Sequence, residues 1–232
     1  MLERLCAHCV YAHEDELKQG FIAYEGGYRI GVCGKAVSEG GKLLRLSDIS
    51  SFNIRAANEV IGCSKDAVGF ILENGTPLST LIVAKPGGGK TTILRDIARC
   101  LSDGVSSPPF KVCIADERGE LAGCAGGIPT YDVGIRTDVI ELAPKADSIM
   151  MFIRTMNPDV IVTDEIGSDK DAAAVMEAAA CGVCVIASSH ARNRDELTLR
   201  EPVRGLIESG VFKRILLLKR NGSSLRIIPL KV

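Results

Sequence analysis

The chain has 232 residues, of which 46% are hydrophobic, 25% are charged and only 4% are aromatic, with no tryptophan. These proportions are those of a folded globular protein and exclude a disordered chain, a collagen-like chain and a small disulfide scaffold. The 28 lysines and arginines nearly balance the 29 aspartates and glutamates, for a net charge of −1. This balance argues against general binding to nucleic acid or to an anionic membrane, and the few aromatic residues argue against a base-stacking surface.

The N-terminal sequence and the cysteines indicate a reducing compartment. Residues 1–20 carry charges of both signs and no apolar core of a secretory signal, so we expect a cytoplasmic protein with free thiols. The pairs Cys6/Cys9 and Cys181/Cys184 have the spacing of zinc ligands, which leaves a zinc site as an alternative. No apolar stretch reaches the roughly 18–20 residues of a membrane span, so we expect no membrane insertion by the chain itself.

The first third of the chain alternates apolar and polar residues in short runs joined by glycines. Two such runs, residues 20–24 and 28–32, predict a β-hairpin with a glycine-rich turn. A third run at residues 42–46 extends the same sheet, whereas residues 53–62 fit a strand or a helix equally well. These features predict a small N-terminal α+β domain over residues 1–74.

The remainder of the chain alternates apolar strands with helices. Because the strand runs are rich in Val, Ile and Leu, they favour a mainly parallel sheet with helices on both faces, over residues 75–232. The predicted strands cover residues 78–83, 111–115, 160–163, 183–187 and 214–218. The predicted helices cover residues 91–101, 148–156, 169–180 and 202–208.

A glycine-rich segment lies between the first predicted strand of this second domain and its first helix. In such a phosphate-binding loop, backbone N–H groups face phosphate oxygens, a lysine reaches the β- and γ-phosphates, and the following hydroxyl ligates Mg²⁺. Lys90 and Thr91 occupy the last two positions, whereas Ala84 stands where the first glycine of the motif belongs. The expected ATP-binding residues are Pro86, Gly87, Gly88, Gly89, Lys90, Thr91 and Thr92.

Two adjacent carboxylates follow the apolar run at residues 160–163. By itself, a strand that ends in two acidic residues is usually just solvated. Downstream of a phosphate-binding loop, however, we expect Asp164 to hold Mg²⁺ together with Thr91, and Glu165 to orient or deprotonate the attacking water.

Two further strand ends carry polar residues, and the carboxyl edge of a parallel sheet is where ligands bind. Glu117 and Glu120 follow one of these strands and could support Mg²⁺ or water, while Ser189 and His190 follow another. We favour His190 as the residue that senses the γ-phosphate. The expected catalytic residues are therefore Glu165, Lys90, Glu117 and His190.

Several arginines are candidates for a contact with the γ-phosphate of a neighbouring subunit. Arg136 and Arg154 could act in this way, and Arg118 could face a neighbour. Each of them fits an ordinary salt bridge equally well.

Four segments, in this order, resemble the secretion-type (type II and type IV) AAA-related P-loop ATPases: the loop at residues 84–91, the acidic segment 116–120, the Asp164-Glu165 strand end and the Ser-Ser-His segment 188–190. Within that superfamily the chain resembles the stage III sporulation protein AA family over nearly its whole length. The matching segments are residues 25–31, 49–55, 87–96, 116–123 and 158–167. Family members generally carry more N-terminal sequence and differ at Ala84 and Lys85.

The resemblance implies a RecA/AAA-like P-loop NTPase fold with a small N-terminal β-rich domain, and an ATP hydrolase that uses ATP and Mg²⁺. It implies a ring-shaped homo-oligomer, a hexamer, in which ATP sits between subunits. We predict that Arg29 or Arg55 of the small N-terminal sheet approaches the neighbour's nucleotide. It further implies integral-membrane stage III sporulation channel proteins as partners. The location implied is the mother-cell cytoplasm, peripheral to the forespore-facing membrane, where hydrolysis would energise a secretion-like channel.

Two alternatives remain open from the sequence. Related plastid and cyanobacterial proteins pair a similar ATPase domain with a single-strand-binding domain, which suggests a nucleic-acid-associated ATPase. Residues 220–232 are too short for such a domain, so nucleic acid is not the expected partner. The other alternative, favoured only by Ala84, is an assembly scaffold that binds nucleotide without hydrolysing it.

Overall fold

The computed structural model describes residues 2–6, 9–18, 20–24, 28–55, 59–222 and 224–231. The chain divides into two compact units. One comprises Met1–Glu59 and Gly123–Tyr131, and the other comprises Val60–Ala122 and Asp132–Val232. The division after Glu59 differs from the boundary expected between residues 74 and 75. The reason is that the carboxylate of Asp96, in the second unit, accepts hydrogen bonds from the backbone N–H groups of Gly62 and Ser64.

The first unit contains an antiparallel sheet of order β1-β2-β3 within its described residues. Tyr24 pairs with Tyr28 across the predicted hairpin, which is confirmed, although its turn at residues 25–27 lies outside the described residues. The third predicted run is also confirmed, within a longer strand. The elements are α1 (Leu2–Leu5), a 3₁₀ turn (Val10–His13), α2 (Glu14–Lys18), β1 (Phe21–Tyr24), β2 (Tyr28–Glu39) and β3 (Lys42–Arg55).

The second unit begins with one helix and a two-stranded ribbon, and continues with strands and helices in alternation. Its helices are α3 (Lys65–Ile71), α4 (Lys90–Asp103), α5 (Lys145–Thr155), α6 (Asp169–Ala180), α7 (Arg194–Thr198) and α8 (Glu201–Glu208). Its strands are β4 (Leu72–Glu73), β5 (Thr76–Pro77), β6 (Thr80–Ala84), β7 (Val112–Asp116), β8 (Thr137–Glu141), β9 (Val160–Glu165), β10 (Cys184–His190), β11 (Arg214–Asn221) and β12 (Ser224–Leu230).

The main sheet of the described residues has seven strands in the order β12-β11-β6-β10-β9-β7-β8. Every neighbouring pair is parallel except β11 and β12, which form an antiparallel hairpin. The predicted mainly parallel α/β sheet is therefore confirmed. Because all its parallel strands run the same way, the carboxyl ends of β6, β10, β9 and β7 lie side by side along one edge.

Helices cover both faces of this sheet, as predicted. Leu81 and Val83 of β6 belong to a buried cluster formed with α5, α6, α7 and α8. Successive side chains of a strand point to opposite faces, so Ile82 lies on the other face, which α4 covers. Both faces are apolar because each strand of the centre is buried on both sides, which explains the continuous Val, Ile and Leu runs of the sequence.

The expected free thiols agree with the burial of several cysteines. Burial raises the pKa of Cys113 and of Cys184 to about 12, and that of Cys63 to about 11. These side chains therefore stay protonated and pack as small apolar groups.

Candidate active site

The glycine-rich segment forms a loop between the end of β6 and the start of α4. Gly87 and Gly89 have φ angles of 70° and 89°, in the left-handed region that favours glycine. Gly89 is the residue that directly precedes the helix, and no side chain caps the helix there. The first-turn N–H groups of α4 therefore remain available to an anion, and the helix dipole adds a partial positive charge.

Ala84 is accommodated by the glycine four residues later. A Cβ atom built on Gly88 would lie 2.7 Å from the Cβ of Ala84 and 2.8 Å from the carbonyl oxygen of Lys85. Because Gly88 has no Cβ, Ala84 ends β6 in extended backbone and is fully buried. The replacement of the first motif glycine thus changes the packing under the loop and removes no phosphate-facing group.

Lys90 joins the loop to a strand end through a histidine. Its Nζ lies 2.6 Å from Nδ1 of His190, and Nε2 of His190 lies 2.8 Å from Oε2 of Glu165. An ammonium group can only donate, so Nδ1 is the acceptor and Nε2–H donates to the carboxylate. This chain of contacts assigns a neutral imidazole to His190 and connects three of the four predicted catalytic residues.

The pKa values of this network agree with a neutral imidazole. Burial and the neighbouring charge of Lys90 lower the pKa of His190 below its ordinary value of 6.5, against the opposing effect of Glu165. Burial likewise lowers the pKa of Lys90, whose side chain is 8% exposed. A partly desolvated lysine gains more from a phosphate than an exposed one does, because charges interact more strongly where water is excluded.

The two carboxylates at the end of β9 face different partners, because adjacent side chains of a strand point to opposite sides. Glu165 contacts His190 through one oxygen and accepts a hydrogen bond from Nη1 of Arg200 through the other. Asp164 points instead to Lys145, whose Nζ lies 2.6 Å from its Oδ1. The pair predicted from sequence is therefore two separate carboxylates, one beside the imidazole and one beside an ammonium group.

Lys145, the first residue of α5, connects the end of β9 to the loop that follows β7 and contains Glu117, called the acidic loop here. Its Nζ lies 3.2 Å from Oε2 of Glu117 and donates a hydrogen bond to the backbone carbonyl of Glu165. Burial alone would lower the pKa of Lys145, but Asp164, Asp171 and Glu117 together raise it, so the group is charged. The side chain is only 3% exposed.

The conformation of the acidic loop is fixed by two buried residues, Asp116 and Arg95. The buried carboxylate of Asp116 accepts hydrogen bonds of 2.9 Å from the N–H groups of Glu120, Leu121 and Ala122. Arg95 of α4 donates to the carbonyl oxygens of Glu120 and Leu121. Asp116 and Arg95 therefore shape the loop that presents Glu117 to the site.

A cavity of about 590 Å³ opens beside these groups, and it is lined by Glu117, Arg118, Lys145, Asp164, Glu165 and Arg200 among others. Arg118 thus lies at the same site as the carboxylates, whereas Arg136 and Arg154 are exposed elsewhere on the unit. The side chains of Arg29 and Arg55 lie outside the described residues. None of these positions tests a contact with a neighbouring subunit.

The sequence analysis missed Lys145 and Arg200. Neither residue lies in a motif or at the end of a predicted strand, and both reach Glu165 only through the packing of α5 and α8 on the sheet. The only local signal was that Lys145 follows Pro144, shortly before the predicted helix at residues 148–156.

The site suits a magnesium ion that arrives with a nucleotide. Within the described ranges, no group of three or more His, Cys, Asp or Glu side chains could hold a metal alone. Mg²⁺ commonly takes one or two protein ligands and completes its shell with phosphates and water. Oδ1 of Asp164 is buried and receives no well-aligned hydrogen bond from the residues described, although Lys145 is near. A buried carboxylate oxygen of this kind fits a metal ion that brings phosphate and water as its other ligands.

Solved structures with the same fold define the class of protein. The DotB ATPase of Yersinia pseudotuberculosis superposes with a TM-score of 0.59 at 17% identity, over 98% of this chain and 65% of that one. The pilus retraction motor PilT, solved with bound ADP, gives a TM-score of 0.56 at 15% identity, over 87% of this chain and 58% of that one. The chain therefore has the α/β P-loop fold of the secretion ATPases, and spans somewhat less than two thirds of these two proteins.

The sequence comparison then identifies the family. A model described as "Sporulation stage III, protein AA" matches residues 1–230, so the chain belongs to that family. It is 42% identical over 221 residues to the stage III sporulation protein AA of Bacillus subtilis, which covers 95% of this chain and 72% of that protein. The resemblance inferred from the motifs is confirmed.

No helix in the described part of the chain is long and apolar enough to cross a membrane.

Proposed function

We propose that the protein is an oligomeric, Mg²⁺-dependent ATPase of endospore formation. The observation that carries the proposal is the contact chain from Lys90 through His190 to Glu165. It links the lysine that we expect to bind phosphate to the carboxylate that we expect to act on water. The proposed roles of Asp164 and Glu165 account for the change from apolar to acidic residues at the end of β9.

In the proposed reaction, backbone N–H groups of residues 86–92 receive the phosphates, and Lys90 reaches the β- and γ-phosphates. Glu165 orients the attacking water and accepts its proton, while Arg200 fixes the second carboxylate oxygen. His190 contacts both the Glu165 carboxylate and Lys90, so it responds when the γ-phosphate binds to Lys90. Glu117 supports the site from the acidic loop.

Magnesium would be held by Thr91 and Asp164, and it supplies neutralisation of the charge on the β- and γ-phosphates.

The family membership supports a role in sporulation. We propose a ring of subunits, a hexamer, with ATP at the interfaces and an arginine supplied by the neighbour. The ring would act in the mother-cell cytoplasm, at the membrane that faces the forespore, and drive a secretion-like channel of integral-membrane stage III proteins. Coupling between neighbours explains why an interfacial nucleotide is useful, since one subunit's γ-phosphate can bias the position of the next.

The test is steady-state Mg²⁺-ATP hydrolysis across a range of protein concentrations, with Glu165→Gln in parallel. We expect specific activity to rise with protein concentration, because each site needs a neighbour. Glu165→Gln should lower kcat by roughly 10²–10⁴-fold and leave ATP binding intact, because the amide cannot accept a proton.

The matched control is Glu196→Gln, a half-buried carboxylate of α7 that accepts a hydrogen bond from the backbone N–H of Arg192, near the end of β10. It should retain full activity. ATP binding without hydrolysis in the wild-type protein would instead support the scaffold, and an absence of both would contradict the proposal.

A further inference from the structure

Lys145 stands at a position that is unfavourable for a lysine. It is the first residue of α5, where the helix dipole disfavours positive charge, and it is 3% exposed. Pro144 precedes it and gives the helix no side-chain cap. A buried ammonium group at a helix start costs free energy twice, through desolvation and through the dipole, so its surroundings must offset both.

The surroundings do so with acidic groups from three different elements. The ammonium lies 2.6 Å from Asp164 of β9 and 3.2 Å from Glu117 of the acidic loop. It also donates to the carbonyl oxygen of Glu165, and its charge is further favoured by Asp171 of α6. Without Lys145, several carboxylates would face one another at the carboxyl edge of the sheet.

We infer that Lys145 is a positioning residue whose ammonium serves as a resident counter-ion for Asp164 and Glu117, and fixes the backbone of Glu165 while no metal is bound. The ammonium places a positive charge among these oxygens in the metal-free protein. This role explains why the described residues hold an acidic cluster without forming a metal site of their own.

The role goes beyond the proposed function, because it concerns the nucleotide-free protein. A metal ion that enters with ATP would meet Asp164 already paired with an ammonium group, 2.6 Å from its Oδ1. Glu165, whose carbonyl oxygen is held on one side by Lys145, keeps its carboxylate directed to His190 on the other. The two carboxylates of β9 are thereby kept apart before any ligand binds.

The first test measures Mn²⁺ binding to the nucleotide-free protein by calorimetry. Wild-type protein should bind Mn²⁺ weakly, and Lys145→Met should bind it at least ~tenfold more tightly, because the competing charge is gone. The double variant Lys145→Met/Asp164→Asn should lose this gain. Lys170→Gln, an exposed lysine at the rim of the same cavity, is the matched control and should bind like the wild type.

Equal Mn²⁺ affinities of folded Lys145→Met and wild-type protein would overturn the inference. If Lys145→Met does not fold by itself, Mn²⁺ should restore its circular dichroism during refolding. A failure of Mn²⁺ to do so, while the double variant folds normally, would also overturn it.

A second test separates positioning from general stability, and it alone rests on the proposed ATPase function. Lys145→Met should lower kcat by at least ~tenfold with KM for ATP within ~threefold, and Lys145→Arg should recover most of kcat. A parallel loss of ATP binding in Lys145→Met, or no recovery in Lys145→Arg, would contradict a positioning role. An inactive wild-type protein would remove the proposed function and leave the Mn²⁺ result standing.

Discussion

His190 shows how one side chain can join two parts of a site whose charges differ. It accepts from Lys90 at Nδ1 and donates to Glu165 at Nε2. The contact with Lys90 exists only while the imidazole is neutral, whereas Nε2–H can donate to Glu165 in either state. Protonation would turn Nδ1 into a second donor that faces an ammonium group. The lowered pKa of His190 prevents this near neutral pH.

We therefore expect stability and activity to depend on the charge of His190. Its folded-state pKa lies below the ordinary 6.5, so the unfolded chain takes up a proton first as the pH falls. The neutral form is thus favoured above the unfolded-state pKa, and the free energy of unfolding should fall as the pH drops below about 6.5. Urea unfolding and ATP hydrolysis between about pH 7.5 and about pH 5.5 measure both effects.

The matching variant is His190→Gln, which cannot be protonated in this range. Its free energy of unfolding should change less over the same pH interval than that of the wild type, and its kcat should be reduced by roughly 10²-fold. The control is His13→Gln, because His13 is remote from His190 in the sequence and pairs with Glu16 instead. Its ATP hydrolysis should show the same pH dependence as that of the wild type. A wild-type pH profile in His190→Gln would contradict the assignment.

At the level of elements, one buried carboxylate ties the segment before α3 to α4. Asp96 accepts hydrogen bonds from the backbone N–H groups of Gly62 and Ser64, from the Ser64 hydroxyl and from Arg99. Burial alone would raise the pKa of Asp96, but these donors together lower it. The helix that opens with the phosphate-binding loop is thereby fixed to the segment that starts the second unit.

Removal of this carboxylate should destabilise the second unit strongly. Asp96→Ala leaves the buried N–H of Ser64, the N–H of Gly62 and a largely buried arginine without their acceptor, so we expect a loss of about 3 kcal/mol in the free energy of unfolding. Because the folded-state pKa of Asp96 is lowered, its contribution is present above about pH 4 and is lost as the pH falls through the folded value.

Denaturant unfolding measures this loss, and Asp103→Asn is the control. Asp103 lies 3.9 Å from Arg99 and is more exposed, so its substitution should cost less than ~1 kcal/mol. Equal effects of the two substitutions would show that the hydrogen bonds of Asp96 are not what fixes the segment.

The elements also show what the sequence could predict. The bounds of α6 match the predicted residues 169–180, because an alanine-rich helix follows a Ser168 capping box. Strands β8 and β12 were missed, since β8 is half-buried throughout and β12 is an edge strand that contains Pro229. In the main sheet, local patterns thus identify the strands that are buried on both faces and fail at the two edge strands, β8 and β12.

The same reasoning applies to the site. Lys90, Glu165 and His190 could be named from sequence because each follows a recognisable strand or loop pattern. Lys145 and Arg200 could not, because only the packing of their helices brings them to Glu165. Residues that reach a site only through tertiary packing cannot be recognised from a sequence pattern.

At the scale of the whole molecule, the order of strands assembles the site. The loop after β6, the histidine that ends β10, the carboxylates that end β9 and the acidic loop after β7 come from four consecutive strands of the sheet. Residues 74 to 100 positions apart in the sequence are brought to one edge of the sheet in this way, and Lys90 and His190 are an example. The proposed ring would add the remaining group, an arginine, from outside the chain.

A mixing experiment tests that proposal on the whole assembly. Lys90→Ala subunits, mixed into wild-type protein, should reduce ATP hydrolysis by more than their fraction of the total, because one inactive subunit impairs its neighbours. Lys170→Gln subunits, which keep the full site, should cause no such loss. A strictly proportional decrease with Lys90→Ala would indicate independent subunits and contradict the ring.

The contact between Ala84 and Gly88 also limits how this loop can change by mutation. Position 84 tolerates a methyl group only because position 88 has none, and a return to glycine at position 84 would leave the loop unstrained. The opposite arrangement, glycine at position 84 and alanine at position 88, is sterically excluded. The carbonyl oxygen of Lys85 would still lie 2.8 Å from a Cβ at position 88. Glycine is therefore not required at position 84 of this loop, whereas a side chain at position 88 would clash with the backbone of Lys85.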